Sequence, residues 1–184
     1  MKHTGTIRIE TERLILRPWR KEDAQSMYDH WATDPVVTEY MIWPPHESID
    51  ESRRIVSMWL EETKQLNRYE WCIEPKETGE ARGSLGIVMI DEETATVELG
   101  YCLSRECWGR GYMPEAVKAV IEWMFTRVGA KRVIAKHDVD NLKSGRVMQK
   151  AGMHYFETRE KGVRNNHGLR DVVVYAIDNP DMPE

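Results

Sequence analysis

From Ala95 to Leu103 the chain alternates. Ala95, Val97, Leu99, Tyr101 and Leu103 are apolar, and Thr96, Glu98, Gly100 and Cys102 between them are polar or small. A period of two predicts a strand with one buried face. Beyond it, Ala116, Val117, Val120, Ile121, Met124, Phe125 and Val128 recur at helical spacing, with Lys118 and Glu122 four apart on the open side. Pro114 stands where the first helical residue is expected, a position that needs no N–H. Strand and helix are joined by Trp108-Gly109-Arg110-Gly111-Tyr112.

The same reading applied elsewhere gives a first strand over Ile7–Arg17, a helix from an Asp23 N-cap to Ala32, and a stiff aromatic and proline-rich loop over Tyr40–His46. A second helix covers Ser48–Leu66. Strands follow at Tyr69–Glu74, Arg82–Ile90 and Ala95–Leu103, then at Arg132–Val139 after the central helix. Asp140 and Asn141 cap a short helix over Leu142–Ala151. The chain closes with a strand at Met153–Arg159, a polar loop at Glu160–Leu169 and a strand at Asp171–Ala176. This order is mixed α/β, in one domain over residues 1–184. Antiparallel meanders lie at both ends, and one strand–helix–strand crossover joins parallel neighbours. Repeated βαβ units are missing, which excludes a doubly wound nucleotide fold. No Gly-Lys-Ser/Thr follows the glycines, which excludes a Walker loop.

A turn with two glycines at the start of a helix is a place for an anion. Unpaired amides lie at the positive end of the helix dipole, and glycine lets a phosphate approach the main chain. A tight turn that simply needs two glycines is the alternative reading. The formal net charge of −5 argues against a nucleic-acid surface. Cys72, Cys102 and Cys107 form no C-x-x-C pair and read as reduced thiols, and no apolar run reaches the ~18 residues of a membrane span. A soluble cytoplasmic protein without a metal is expected.

Three blocks then carry a resemblance. Glu98-Leu99-Gly100-Tyr101 with Trp108-Gly109-Arg110-Gly111-Tyr112 and Glu115-Ala116 resembles the acetyl-CoA-binding core of the GNAT N-acetyltransferases. Asn141-Leu142-Lys143-Ser144, Val147 and Lys150-Ala151-Gly152-Met153 resemble that family's second motif, with Met153 in place of the usual Phe. Thr11-Glu12-Arg13-Leu14-Ile15-Leu16-Arg17-Pro18 with Asp23-Ala24 is similar to the opening of the RimJ/RimL-like ribosomal-protein N-terminal acetyltransferases.

The resemblance implies a GNAT fold: a central, mostly antiparallel twisted sheet with a splayed parallel strand pair at the cofactor cleft and about four helices. It also implies that the CoA pyrophosphate lies on the amides of Trp108, Gly109, Arg110, Gly111, Tyr112 and Met113. Pantetheine would pair along Tyr101, Cys102 and Leu103, and Asn141 and Ser144 would contact the cosubstrate. Glu106 stands where many relatives have Gln or Arg, so it is expected to point outward while Arg105 or Arg110 supplies charge. Met148 stands where many relatives place a tyrosine as general acid to the thiolate.

The implied chemistry is direct attack of a primary amine on the acetyl carbonyl in a ternary complex. Glu98 is the first candidate for the base, with Gly100 bulging its strand toward the cleft. Ser144 is a candidate acid, His137 a third group, and backbone N–H groups near Cys102 are candidate oxyanion donors. Each has a plain structural alternative: a solvated charge pair for Glu98, a helix or cofactor bond for Ser144, packing for His137. Tyr40 and Trp43 are candidate acceptor-binding residues because they sit in a loop, whereas Trp59 and Trp71 read as packing. The acceptor is a protein N-terminal α-amine or a small amine, and the chain a monomer or homodimer. The competing function is an acyl-CoA-binding sensor that has lost catalysis.

Overall fold

The computed structural model describes residues 1–182. In chain order it contains β1 (Ile9–Glu10), β2 (Leu14–Arg17), α1 (Asp23–Met27, running on as a π-helical turn over Tyr28–Ala32), α2 (Pro35–Thr38) and α3 (Ile49–Glu62). Then come β3 (Glu70–Pro75), β4 (Gly83–Asp91), β5 (Thr96–Leu103) and α4 (Tyr112–Trp123, with a π-helical turn over Met124–Val128). The last elements are β6 (Arg132–Asp138), α5 (Leu142–Lys150), β7 (His154–Asn165) and β8 (Gly168–Asp178). All eight strands join one sheet in the order β1-β2-β3-β4-β5-β6-β8-β7. Every pairing is antiparallel except β5 with β6.

The alternation along β5 places its side chains on two faces. Val97, Leu99 and Leu103 pack with α4 residues Ala116, Val117 and Val120 in the larger core. Cys102 points the other way, into a core with Trp19, Trp31 and Val56 of the α1–α3 layer. On that second face Arg17, Asp23 and Glu74 form a buried ion network. The Arg17 guanidinium donates to both Asp23 oxygens at 2.7 Å, and its Nε donates to Glu74 at 2.6 Å. The network fastens β2, α1 and β3 together.

Several expected boundaries differ, each for a local reason. The first strand is two, because the chain turns at 11–13: the Thr11 hydroxyl and the Leu14 backbone bond each other, and β1 folds back on β2. Asp23 is not the N-cap. That place belongs to Glu22, and the Asp23 carboxylate is taken by Arg17 and the Arg20 amide. Asp34-Pro35 ends one helix and opens the next, with Asp34 Oδ1 accepting from the Val36 amide. Helix α3 stops at Glu62 rather than Leu66. Pro114 is the third residue of α4, which starts at Tyr112.

The stretch Glu160–Leu169 is not a loop. β7 continues to Asn165 and β8 begins at Gly168. The outer half of this hairpin carries exposed side chains, so it lacks an apolar alternation to read. Asn165 anchors it by donating to buried Asp138, and Asn166 donates to the carbonyls of Thr38 and Trp43 across the sheet face. Among the described residues no helix is long and apolar enough to cross a membrane.

Candidate active site

β5 and β6 pair only from Thr96↔Arg132 to Leu99↔Ala135, after which the two strands have no register with each other. Gly100–Leu103 stays paired to β4 on its other edge. Ser104 donates its amide to Arg82 in the same ladder, at 2.7 Å. Antiparallel alternation then aims the Cys102 amide at β4 and the Tyr101 and Leu103 amides at the gap. Of the amides near Cys102, those of its two neighbours therefore face the gap.

The gap opens into a cleft of about 790 Å³. One wall is the end of β5, another the glycine turn with the start of α4, the third α5, and Val36–Met41 roofs it. At the turn, Gly109 and Gly111 take left-handed φ values of 76° and 80°, and a side chain at Gly109 would meet open space. The amides of Gly109, Arg110, Gly111, Tyr112 and Met113 have no acceptor among the described residues. Five consecutive free donors at a helix start form a ready anion cradle.

The turn is held from behind. Glu115 accepts from the Thr11 hydroxyl at 2.6 Å and from the Arg13 amide and Nε at 2.9 and 2.7 Å, and Arg13 Nη1 donates to the Arg110 carbonyl. Burial opposes the Glu115 charge, but these bonds outweigh it and hold its carboxyl below the usual range. The opening motif of the chain thus serves the turn 100 residues away, as the clamp on its first helical turn.

A family model described as an acetyltransferase (GNAT) domain matches residues 13–154. The chain belongs to the GNAT acetyltransferase family. It is 36% identical over 174 residues to p20, an uncharacterised N-acetyltransferase of Bacillus licheniformis, covering 91% of this chain and 93% of that one. Its fold matches a ribosomal-protein-S5-alanine acetyltransferase of Vibrio fischeri with a TM-score of 0.83 at 20% identity, covering 97% and 100% of the two chains. A microcin C7 self-immunity acetyltransferase, solved with acetyl-CoA and AMP, matches with a TM-score of 0.82 at 20% identity over 91% and 93%. GNAT enzymes are N-acetyltransferases that use acetyl-CoA, and the residues present fit that cosubstrate: the free amides suit a pyrophosphate, and the open edge of β5 suits an extended amide-bearing arm.

Within this GNAT chain the cleft gathers Tyr101, Cys102, Leu103, Trp108, Gly109, Gly111, Tyr112, Met113, Asn141, Ser144 and Tyr40. Three of these need correction or refinement. The Trp108 amide is not free, because it donates to the Arg105 carbonyl at 3.1 Å; the indole lines the cleft and carries Lys143 Nζ 4.5 Å from its centroid. Asn141 caps α5 through Oδ1, which accepts from the Ser144 amide at 3.3 Å, leaving its NH₂ group for a ligand. Tyr40 lies beside His167 of the hairpin tip, with ring centroids 5.2 Å apart.

Other residues fall outside the cleft. Trp43 packs on the α1–α3 core against His46 and does not line it. Arg110 and Arg105 are engaged elsewhere, by Glu77 at 2.6 Å and Asp34 at 3.1 Å, so neither is a free counter-charge. Glu106 is exposed, as expected. The cations that do line the cleft are Lys143, Arg146 and Lys150, on one side of α5 at helical spacing. Their spacing of three and four residues is the sequence signal for this face, and only the fold turns it to the cleft.

Glu98 is 5% exposed, on the face opposite α4, with Lys136 Nζ at 2.9 Å; it does not line the cleft. Gly100 does not bulge. The bulge is in β4 at Val88, and a side chain at Gly100 would come within 2.8 Å of Val88 Cγ1. His137 is packed: its Nδ1 lies 2.7 Å from the Asp138 carbonyl, and Gly145 of α5 presses on its other edge. Burial pushes the Cys102 thiol up to about 12 and raises Cys107 as well, so neither is a poised thiolate. A second carboxylate on the Glu98 face is Glu70, which lies against Gly86; burial, aided by Glu62, pushes it up to about 8.

Proposed function

We propose that the protein moves the acetyl group of acetyl-CoA to a primary amine by direct attack, with both substrates bound together. The row of free amides from Gly109 to Met113, continuous with the open edge of β5, is the observation that carries this reading. Pyrophosphate sits on the turn, pantetheine runs along Tyr101–Leu103, and the thioester reaches the point where β5 and β6 part. There the Tyr101 and Leu103 amides face the carbonyl oxygen that becomes the oxyanion. Neutralising Arg146 and Lys150 together, as Arg146→Ala/Lys150→Ala, is expected to weaken acetyl-CoA binding by about tenfold, since each of these exposed charges contributes up to about 1 kcal/mol. Calorimetry at low and high salt reads the loss, and an affinity unchanged at low salt would remove α5 from the phosphate site.

The acceptor approaches from the opposite face, where Glu98 and Lys136 lie. An alkyl ammonium, with pKa near 10.4, requires about 4.6 kcal/mol to shed its proton at pH 7, whereas a peptide α-amine at about 7.7–8.0 requires only about 1–1.4 kcal/mol. A carboxylate working through water serves the second without strong basicity. A protein α-amine is the acceptor favoured here. It is supported by the similarity to ribosomal-protein acetyltransferases.

Glu98→Gln is expected to cut kcat/KM at pH 7, by about 10²-fold on an alkyl amine and less on a peptide α-amine. The deficit closes as pH rises toward the amine's own pKa, because free amine then forms without help. Thiol release from acetyl-CoA measured across peptides, polyamines, amino acids and aminoglycosides names the acceptor class. A rate in Glu98→Gln equal to wild type on every acceptor would transfer the base role to another group, Glu70 first.

A further inference from the structure

Met148, at the position where a tyrosine serves many GNAT enzymes, is 1% exposed and lies in the apolar core. One hydroxyl close to the parting of β5 and β6 comes from the strand itself. Tyr101 is two residues past the last parallel pair, Leu99↔Ala135, and its side chain crosses the cleft to the first turn of α5. There Tyr101 Oη lies 2.9 Å from Ser144 Oγ and 3.1 Å from the Ser144 carbonyl oxygen.

We propose that the Tyr101 phenol is the proton donor to the departing CoA thiolate, with Ser144 as its positioning residue. This rests on the acetyl-transfer reading above and adds to it the group on the leaving side. One arrangement satisfies both contacts: the Ser144 hydroxyl donates to Tyr101 Oη, and the phenol donates to the Ser144 carbonyl. The phenol proton is then the movable one, able to turn from that carbonyl to a sulfur held in the gap. Burial pushes the phenol above its ordinary range, against the smaller opposing effect of the Ser144 bond, so it stays protonated at neutral pH. A phenol near 10 and a thiol near 8.5 differ by less than about two units, and burial raises both. An aliphatic hydroxyl such as that of Ser144 is a far weaker acid.

The step balances. The amine nitrogen forms the C–N bond, the tetrahedral intermediate collapses, and the C–S bond breaks with its electron pair on sulfur. The Tyr101 proton goes to that sulfur, and the phenolate recovers the proton the nitrogen has shed, through solvent.

The test compares wild type, Tyr101→Phe and Ser144→Ala, all checked for the wild-type melting temperature. Two readings are taken: kcat with a fixed amine, and the pH titration of the thiol of bound CoA, followed by thiolate absorbance. Tyr101→Phe is expected to lower kcat by about 10²-fold with acetyl-CoA affinity retained. It is also expected to raise the apparent pKa of the bound thiol by about one unit, the loss of one hydrogen bond to the thiolate. Ser144→Ala, which leaves the phenol in place, should shift both in the same direction by less. Wild-type kcat and an unmoved thiol titration in Tyr101→Phe would overturn the proposal. If that variant does not fold, an unmoved titration in Ser144→Ala overturns it. Wild-type protein that binds CoA but transfers no acetyl group contradicts the transferase reading alone, and the titration still decides whether Tyr101 meets the sulfur.

Discussion

Asp23→Ala is expected to destabilise the fold by about 3–5 kcal/mol, because it leaves a guanidinium buried with half of its partners gone. Arg17 and Asp23 have side-chain exposures of 6% and 8%, and their two parallel bonds at 2.7 Å are the geometry in which a buried pair offsets its desolvation. The substitution also removes the acceptor for the Arg20 amide, which orders the entry to α1. Glu74 remains on Nε but cannot reach the other side of the fork. Urea unfolding should show the midpoint fall, and the melting temperature should drop by roughly 10 °C for a domain of this size. Arg17→Met combined with Asp23→Ala should cost less than the two single changes added, since neither charge is then stranded. A loss under about 1 kcal/mol in Asp23→Ala would mean that water reaches Arg17.

Gly111→Val is expected to weaken acetyl-CoA binding by at least about 10²-fold. At a φ of 80°, a β-branched residue cannot keep the left-handed conformation, so the chain on either side must rotate. The rotation turns the Gly111 and Tyr112 amides away from the cradle. Two charge-assisted bonds of about 1.5–3 kcal/mol each are at stake, and about 1.4 kcal/mol is tenfold. The added side chain also meets Arg13 Nη2, at 3.4 Å from its Cβ, and disturbs the clamp on Glu115. Gly109→Ala separates strain from blockage, since a methyl there meets no protein atom and any loss of affinity reports the φ of 76° and the ligand's own contact. Calorimetric titration with acetyl-CoA checks both, and wild-type affinity in Gly111→Val would place the pyrophosphate elsewhere.

The core of the fold was legible where one face is buried. β5 and α4 carry clean periods of two and 3.6 residues, and the crossover between β5 and β6 required a parallel pair. Their splay was not legible from periodicity, because Gly100–Leu103 keeps its β4 partner and looks like any other strand. β7 runs past Arg159 with mostly exposed side chains, Val163 packing on Ile134, Val172 and Val174, and it is held by side-chain amides of Asn165 and Asn166, for which no periodic signal exists. The glycine turn was visible as two glycines before a helix. Its electrostatics were not, because whether Arg105 and Arg110 are free depends on Asp34 and Glu77, each distant in sequence. The basic side of α5 was present as a spacing of three and four residues at Lys143, Arg146 and Lys150, but only the cleft shows that it faces the turn. Tyr101 was read for its backbone, and its hydroxyl acquires meaning only from Ser144 standing 2.9 Å away.

One measurement bears most directly on the account. Purified protein is mixed with acetyl-CoA and a peptide bearing a free α-amine, and thiol release and acetylated peptide are followed in the same sample. One acetylated amine is expected for each thiol released, with release dependent on the amine and lost in Gly111→Val. Thiol release that ignores the amine, or acetyl-CoA binding with no transfer to any peptide, polyamine, amino acid or aminoglycoside, would contradict it.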